Sequence, residues 1–413
     1  MSTQRNRPPG VLLVPFGCKV SRIEALSAFR EVRERRGCLA PRDDAELILV
    51  HGCAVTARAE RDARKEVRRL RREHPGATIV LSGCLARALA AGLSRGAGVD
   101  RVEPELGRNW SLDRPEVEPG RARAFLKIQD GCDRRCAYCV VPALRGPERS
   151  APADEVVRAI RSLGEAGVPE VVLSGVHLAA YGLGGRSLLS LLERLEADPP
   201  PCRVRLSSLE PMEAGASLVD FVASSRTVVP YLHLPLQSGS DAVLRRMRRG
   251  ITRAGYARLA SRAVARNPRL HLSTDVIAGF PGESDREHAE TIDLIGVLPL
   301  ASIHVFPFSP RPGTAAAALH RETPVPPEVV RRRARVLRQM AEEKLEAYRR
   351  RAIGTVADVV TLHGGEALTD TYLTVALALE EVPRPGVRFL ARLVEVEGVL
   401  RASPASSRET ACW

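Results

Sequence analysis

The sequence has few aromatic residues and no long apolar run. Phe, Trp and Tyr make up 4% of the 413 residues, and no apolar stretch is long enough to cross a bilayer. The first ten residues are polar and rich in Arg and Pro, unlike the core of a secretory signal. We therefore expect a cytoplasmic protein that does not enter a membrane. Its nine cysteines should then be reduced thiols that are available as ligands.

Lysine is also scarce, although the chain is strongly basic. The net charge is +13 and the pI is near 9.8, and almost all of the positive charge comes from arginine. Such a charge favours a polyanionic partner such as nucleic acid. The alternative is that the arginine excess reflects a GC-rich coding sequence.

Strand-like and helix-like segments alternate through the first hundred residues. Apolar runs at 11–17, 47–52 and 78–83 are separated by helical stretches at 22–35 and 57–73. Strand, helix and strand at these lengths are typical of a parallel α/β sheet, which we expect to be doubly wound.

Each of the three apolar runs ends in a Gly-Cys pair, which places Cys18, Cys53 and Cys84 at strand ends. Sites in open parallel sheets gather at the carboxyl ends of the strands, and neighbouring strands are only about 5 Å apart. A glycine before each thiol would leave room for a bulky inorganic ligand. The repetition favours a metal cluster over three buried structural cysteines. The cysteines outside these contexts, expected to be structural or incidental, are Cys38, Cys202 and Cys412.

A second group of three cysteines follows the strand-like run 125–129 in the spacing Cys-x₃-Cys-x₂-Cys. Cys132, Cys136 and Cys139 can aim three thiolates at one point, as iron–sulfur ligation requires. A zinc site needs a fourth Cys or His nearby, and none follows before His177. Three protein ligands on a four-iron cluster leave one iron open for a substrate or cofactor. The alternatives are a partial zinc knuckle or three unrelated thiols.

The helix expected at 57–73 carries a row of basic residues on one face. Members of the row are three or four positions apart, and acidic residues are interleaved with them. A solvated surface is the simplest interpretation, and a row of phosphate contacts is the alternative. The basic residues are Arg58, Arg61, Lys65, Arg68 and Arg72.

Six strand-then-helix units follow a linker with Pro and Gly at 108–123. Six units suit an incomplete (β/α)₆ barrel, in which the chemistry lies in the loops after the strands. The unusual polar and glycine-bearing clusters of this half all fall in those loops, which indicates a single site. The strands are expected near 124–129, 170–173, 203–207, 231–234, 271–277 and 302–307.

Beyond a long helix at 329–351 the pattern changes to strand-like alternation, which predicts a small β-rich module. This module has more acidic than basic residues, so it is not expected to hold a polyanion alone. We predict three domains: a parallel-sheet domain at 1–110, a partial barrel at 118–350 and the β module at 354–405.

The order of these parts resembles the methylthiotransferases, a family of radical S-adenosylmethionine (SAM) enzymes. Residues 17–20, 52–56 and 83–86 are similar to the three N-terminal cysteine motifs of the family, and residues 132–150 to its radical SAM segment. The run 174–182 resembles the branch that adds a 2-methylthio group to threonylcarbamoyladenosine beside the tRNA anticodon. The C-terminal module is similar to the TRAM RNA-binding domain. Departures from the usual motifs include His51 in place of Asn, and Leu85 and Arg87 in place of Tyr and Gln.

The resemblance implies two 4Fe–4S clusters. Cys132, Cys136 and Cys139 would be the catalytic ligands of a cluster that binds SAM, and Cys18, Cys53 and Cys84 would hold the sulfur-supplying cluster. SAM would act both as the radical source and as the methyl donor. The residues expected to contact SAM are Tyr138, Ser174, Gly175, Glu210, Gln237, Ile277 and Gly279. The candidates for phosphate contacts are Arg145, Arg149, Arg248 and Arg249.

The same resemblance implies particular partners. They are tRNA, an electron donor such as flavodoxin or ferredoxin, and a source of sulfur, and we expect a monomer. Within the family, the substrate could instead be isopentenyladenosine in tRNA or an aspartate of a ribosomal protein. Two hypotheses from outside this reading are a radical SAM enzyme with one cluster and a zinc-stabilised RNA-binding protein without catalysis.

Overall fold

The computed structural model describes residues 10–36, 45–96, 98–108, 112, 115, 122–182, 187–379 and 383–405. Cys38, Cys412 and most of the predicted linker lie outside these residues. None of the helices in the described ranges is long and apolar enough to span a membrane.

The described residues group into two compact units. The first unit draws on Met1–Glu116, Asp130–Glu148 and Ser309–Ala318, and both cysteine triads lie within it. The second unit draws on Val117–Gln129, Arg149–Phe308 and Leu319–Trp413. Each unit is drawn from several separate stretches of the chain, so the three domain boundaries predicted from the sequence remain predictions.

A four-stranded parallel sheet forms the centre of the first unit. The strands run in the order β1-β2-β3-β4, and each neighbouring pair is parallel. The three strands predicted from the sequence are confirmed to within two residues. The elements are β1 (Val11–Pro15), α1 (Lys19–Arg36), β2 (Leu47–Gly52), α2 (Ala57–Glu73), β3 (Thr78–Ser82), α3 (Gly83–Ala90) and β4 (Arg101–Val102).

Apolar residues cover both faces of this sheet. Leu47 and Leu49 of β2 pack in one cluster with residues of α1, and Ile48 and Val50 pack in another with residues of α2. Burial on both faces explains why β2 is continuously apolar. Helices on two faces agree with the doubly wound class, but the strand order is sequential and lacks the reversal typical of that class. Each connection moves one strand further in the same direction, which the hydrophobic pattern alone could not reveal.

The chain from Ala124 to Ala352 again alternates strands and helices. Its elements are β5 (Ala124–Lys127), β6 (Gln129–Asp130), α4 (Val141–Arg145), β7 (Arg149–Ser150), α5 (Ala153–Glu165), β8 (Glu170–Ser174), α6 (Leu188–Ala197), β9 (Arg203–Leu206), α7 (Pro211–Ser224), β10 (Tyr231–His233), α8 (Asp241–Arg246), α9 (Arg253–Arg266), β11 (His271–Ala278), α10 (Asp285–Val297), β12 (Ser302–Pro307), α11 (Ala315–Glu322) and α12 (Pro327–Ala352). Of these, α4 belongs to the first unit.

The second unit contains the six parallel strands that the sequence predicts. They form two three-stranded sheets, β5-β8-β9 and β10-β11-β12. The backbone N–H of Leu209 donates to the carbonyl of His233 at 2.9 Å, which links the loop after β9 to β10. The polar loops at the carboxyl ends of these strands are therefore neighbours.

The C-terminal part of the second unit is a small closed barrel, as the β-rich pattern predicts. Its strands are β13 (Val356–Thr361), β14 (Glu366–Thr369), β15 (Thr374–Leu377), β16 (Arg388–Val396) and β17 (Val399–Pro404), in the order β13-β14-β15-β17-β16. Buried Val359, Val375 and Ala391 belong to its apolar core. Closure leaves fewer free strand edges in so short a module.

Buried arginines fix this barrel to the neighbouring strands. The fully buried Glu170 carboxylate of β8 accepts from Arg203 Nε at 2.7 Å and from Arg205 Nε at 2.9 Å. Burial alone would raise the pKa of Glu170, but the two guanidinium groups hold it well below its usual range. The remaining N–H groups of the two arginines donate to the backbone carbonyls of Asp358, Leu368, Thr369 and Asp370.

Candidate functional site

The first cysteine triad lies where three adjacent strands end. Pro15 is paired with His51, and His51 with Ser82, so β1, β2 and β3 end level across the sheet. A further backbone bridge between Gly52 and Gly83 brings the residues after them, Cys53 and Cys84, side by side. Cys18 follows β1 by three residues, at the same edge.

The glycine before each thiol is required by neighbouring protein atoms. Gly17 has φ +109°, and a Cβ there would lie 2.9 Å from Cys53 Cβ. Gly83 has φ +79°, and a Cβ there would lie 2.6 Å from His51 Nε2. The sequence led us to expect that these glycines leave room for an inorganic ligand. In the structure a side chain at these positions would meet protein atoms, those of Cys53 and Ser21 at Gly17 and those of His51 at Gly83.

The thiols are close enough to affect one another's protonation. Burial, together with the nearby Cys84 and Cys18 thiols, raises the pKa of the Cys53 thiol to about 11, although Arg145 acts to lower it. A free Cys53 is thus a thiol at neutral pH, and a bound metal would have to displace its proton. A set of three neighbouring thiols fits a 4Fe–4S cluster with one open iron.

The second triad lies on one tightly bent loop. Gly131 has φ +76°, and a Cβ there would lie 1.9 Å from the carbonyl oxygen of Pro147, so only glycine fits. The Cys132 N–H donates to the carbonyl of Gly146 at 3.1 Å, and the Cys139 N–H donates to that of Cys136 at 3.0 Å. All three cysteines are partly exposed, which leaves one side of the loop open to a ligand.

Arg145 contacts a thiol of the first triad and follows the loop of the second triad in the chain. It ends the short helix α4, which begins two residues after Cys139, and its side chain is only 3% exposed. The guanidinium donates to Cys84 Sγ at 3.3 Å, to Glu24 Oε1 at 2.7 Å and to Asp130 Oδ1 at 2.8 Å. Burial alone would lower the pKa of Arg145, but Cys84, Glu24 and Asp130 raise it, so the side chain stays charged.

This position does not fit the phosphate contact that we predicted for Arg145. A phosphate-binding side chain must reach solvent, whereas Arg145 is enclosed by its ion partners. Glu24 is 121 residues away in the chain, so the pairing is invisible to local charge patterns. The guanidinium instead supplies positive charge and an N–H donor beside the Cys84 thiol, which we predicted to be a cluster ligand.

Two departures from the family motifs surround the same carboxylate. The ring of His51 is buried, with Nδ1 2.9 Å from Ser82 Oγ and Nε2 3.7 Å from Glu24. Burial lowers the pKa of His51, so the imidazole is neutral at pH 7. Arg87 Nη2 lies 3.7 Å from Glu24, and its Nη1 lies 3.9 Å from Cys84 Sγ. These residues thus belong to the polar surroundings of Cys84.

In the second unit, Arg249 joins two loops that we predicted to contact SAM. Its Nη1 donates to Glu210 Oε2 at 2.6 Å, and its Nη2 donates to the carbonyl of Pro235 at 2.8 Å, two residues before Gln237. Arg249 is 9% exposed, so its placement also argues against the predicted phosphate contact. Glu210 and Pro235 are 39 and 14 residues away from Arg249 in the sequence, so a local sequence pattern could not predict these contacts.

Gln237 has an uncommon backbone conformation in the loop after β10, four residues beyond the end of the strand. Its φ is +71°, and its backbone bridges β11 through bonds of 2.8 Å to Asp275 and 2.9 Å from Ile277. Strained backbone in a non-glycine residue tends to occur at functional sites. Gly279 has φ +75°, and a Cβ there would lie 2.5 Å from Val330, so this glycine is needed for packing.

The remaining predicted residues differ in exposure. Ser174 is buried at the end of β8, and a Cβ at Gly175 would lie 2.9 Å from Gln129 Cβ, so both positions are tightly packed. Arg149 and Arg248 are exposed, as phosphate contacts require. Tyr138 lies on the cysteine loop of the first unit.

A polar cluster of His233, Asp275 and His304 in the second unit was not among the site residues predicted from the sequence. His233 Nε2 and His304 Nδ1 both lie 3.1 Å from Asp275 Oδ1, on three adjacent strands. Burial alone would raise the pKa of Asp275, but bonds from the two imidazoles lower it. The sequence places His233, Asp275 and His304 in three predicted strands, but only the structure shows the register that sets Asp275 opposite His304.

Comparisons with known proteins agree with these parts. The model of the Radical SAM superfamily matches residues 126–295, and that of Uncharacterized protein family UPF0004 matches residues 11–102. A threonylcarbamoyladenosine tRNA methylthiotransferase MtaB from Chlamydia pneumoniae is 35% identical over 84% of this chain and 86% of its own length. An MtaB from Thermotoga maritima is 31% identical over 83% and 84%. A tRNA-2-methylthio-N(6)-dimethylallyladenosine synthase from Ralstonia nicotianae is 34% identical over 76% and 77%.

A solved structure supports the fold. The radical S-adenosylmethionine methyltransferase TsrM from Kitasatospora setae matches with a TM-score of 0.51 over 73% of this chain and 74% of that chain, at 16% identity. This likeness concerns the fold alone. The identity to the curated relatives over most of their length decides the family. The chain belongs to the radical SAM methylthiotransferases, enzymes that use SAM and 4Fe–4S clusters.

Proposed function

We propose that this enzyme adds a methylthio group to C2 of N6-threonylcarbamoyladenosine at position 37 of tRNA. The MtaB relatives carry this substrate in their names, and the relative from Chlamydia pneumoniae is 35% identical. The synthase from Ralstonia nicotianae is nearly as similar at 34%, so identity alone does not choose between the two nucleosides. The run 174–182, which resembles the threonylcarbamoyl branch, supports the first substrate.

One observation carries the two-cluster part of the proposal. Both triads lie in one compact unit, and Arg145, six residues after Cys139 of one triad, contacts Cys84 of the other. Cys132, Cys136 and Cys139 would hold the SAM-binding cluster, and Cys18, Cys53 and Cys84 the second cluster. With SAM, these groups supply the radical chemistry needed to activate an aromatic C–H bond, which side-chain acids and bases cannot achieve.

The residues of the protein itself bind and orient. Arg145 and Arg87 place positive charge beside Cys84 and would offset the negative charge of a thiolate-bound cluster. In the second unit, the Arg249–Glu210 pair would hold the loop of Gln237 in position for SAM. Partners proposed with this function are tRNA, an electron donor such as flavodoxin or ferredoxin, and a sulfur source.

Nucleoside analysis of tRNA from a deletion strain tests the substrate. The 2-methylthio form of threonylcarbamoyladenosine should disappear, and a plasmid carrying the gene should restore it. Loss of the methylthiolated isopentenyladenosine instead, or an unchanged tRNA profile with an altered ribosomal protein, would replace the proposal with the corresponding substrate.

Metal analysis of the anaerobically purified protein tests the cofactors. Two 4Fe–4S clusters predict about eight iron atoms and eight labile sulfides per chain. Zinc without labile sulfide would instead favour a non-catalytic RNA-binding protein.

A further inference from the structure

The exposed face of α2 carries a row of four cations. Arg61, Lys65, Arg68 and Arg72 are spaced by four, three and four residues, so they lie along one face of the helix, and all four are exposed. The row spans twelve residues, and its first and last Cα atoms are about 16 Å apart along the helix axis. We call these four residues the α2 row.

The acidic residues of the same helix are already occupied. Glu60 pairs with Arg64 at 3.0 Å and with Arg311 at 2.6 Å, and Arg69 binds both Glu66 and Glu73. Asp62 lies 3.8 Å from Arg58. Within the described ranges, no carboxylate is in ion-pair distance of any member of the α2 row. The interleaved charges seen in the sequence therefore do not neutralise this face.

The helix holds the row on a rigid support. Ala63, Val67 and Leu70 on its other face are buried against the sheet. The Thr56 side chain caps the first turn by accepting from the Ala59 N–H at 3.1 Å. Because the apolar face is buried, α2 cannot insert into a lipid surface. The exposed face offers charge alone, without the aromatic or apolar centre of a typical protein interface.

A partner for this face should carry regularly repeated negative charge. Neighbouring members of the row are about 5–6 Å apart at Cβ, and their long side chains can adapt to successive phosphates. The closed C-terminal barrel does not offer an equivalent surface, since residues 354–405 contain seven acidic and four basic residues. A bound polyanion must therefore find much of its positive contact elsewhere on the chain.

We propose that the α2 row binds the phosphate backbone of the substrate RNA. This inference rests on the proposed function, because it takes the polyanion to be the tRNA. The row begins eight residues after Cys53, at the sheet edge where the first triad lies. RNA held there would be anchored on the same compact unit as both triads. The contact is to phosphates, so it is independent of base sequence.

The test measures binding of purified tRNA that carries threonylcarbamoyladenosine at position 37 to the cluster-loaded protein by fluorescence anisotropy, over a range of KCl concentrations. The variant R61Q/K65Q/R68Q/R72Q should lower the slope of log K against log [KCl] by about 3, at 0.7–0.9 per phosphate contact. At 0.15 M salt its affinity should fall on the order of 100-fold. Iron content and circular dichroism should match wild type, because all four side chains are exposed.

Two matched variants separate local contact from net charge. R331Q/R335Q/R338Q/R349Q removes four exposed charges from α12 and should change the slope by less than about 1. R61K/R68K/R72K keeps the charge and should keep most of the affinity. Equal losses in both quadruple variants would show a net-charge effect and overturn the proposal. So would an unchanged slope in the α2 variant, or a defect only in reduction by flavodoxin, which would assign the row to a protein partner.

The same experiments distinguish failure of the α2-row proposal from failure of the proposed function. If the wild-type protein methylthiolates tRNA while the α2 variant binds it with an unchanged slope, only the role of the α2 row fails. If the wild-type protein neither binds nor modifies tRNA, the proposed function fails as well.

Discussion

Replacing Arg145 with Met removes one guanidinium from the centre of the first unit. The carboxylates of Glu24 and Asp130 are completely buried, and both accept hydrogen bonds from Arg145. Met fills a similar volume but cannot donate or carry charge. The substitution therefore leaves two buried anions short of their closest cation.

The expected loss in the free energy of unfolding depends on which cations remain near the Glu24 and Asp130 carboxylates. Breaking a buried ion pair by removal of one partner typically costs about 3–5 kcal/mol. Arg87 still lies 3.7 Å from Glu24, and Arg108 Nε lies 3.5 Å from Asp130. His51 is also 3.7 Å from Glu24, but it is neutral at pH 7 and does not replace the lost charge. This partial compensation places the expected loss near the lower end, at about 3 kcal/mol. In a domain of about 150–250 residues, a loss of that size lowers Tm by roughly 6–12 °C.

Urea denaturation followed by circular dichroism measures the loss. R149M is the matched control, because Arg149 is exposed and its replacement should change stability by no more than about 0.5 kcal/mol. R145M/E24Q removes one of the stranded charges and should recover part of the stability. The reasoning is refuted if R145M unfolds at the same urea concentration as R149M, or if the second substitution makes R145M still less stable.

Three further outcomes concern cluster binding, SAM and pH. C53A should lose about four iron atoms per chain and all methylthiolation activity. The control C202A alters a buried thiol outside the triads and should keep its iron. Full activity of C53A would favour a one-cluster enzyme. Q237G should relieve the left-handed backbone at φ +71° and keep stability within about 1 kcal/mol, while SAM affinity in equilibrium dialysis falls. Burial lowers the pKa of His288 to about 4, so the folded state resists protonation and stability should fall between pH 6.5 and 4. H288L should reduce that fall in pH-dependent denaturation and exposed H363L should not; equal pH dependence in both would contradict the assignment.

The sequence was most informative where local pattern determines structure. Gly-Cys pairs at strand ends predicted that Cys18, Cys53 and Cys84 would meet, because strand ends in a parallel sheet are neighbours. It could not separate Arg145 and Arg249 from surface arginines, since both are buried by partners far away in the chain. Charge patterns record which residues are cations, whereas burial depends on tertiary packing.

The hydrogen bonds from Arg203 and Arg205 to the C-terminal barrel limit how far the chain can be truncated. A protein ending near residue 353 would keep both buried guanidinium groups but lose the four barrel carbonyls that accept from them. Glu170 alone cannot accept hydrogen bonds from all the N–H groups of the two arginines. The side of β8 and β9 that the barrel covers would then expose these charged groups to water. Truncation would thus damage the six-stranded part, and loss of RNA binding in such a fragment would not by itself assign that role to the missing barrel.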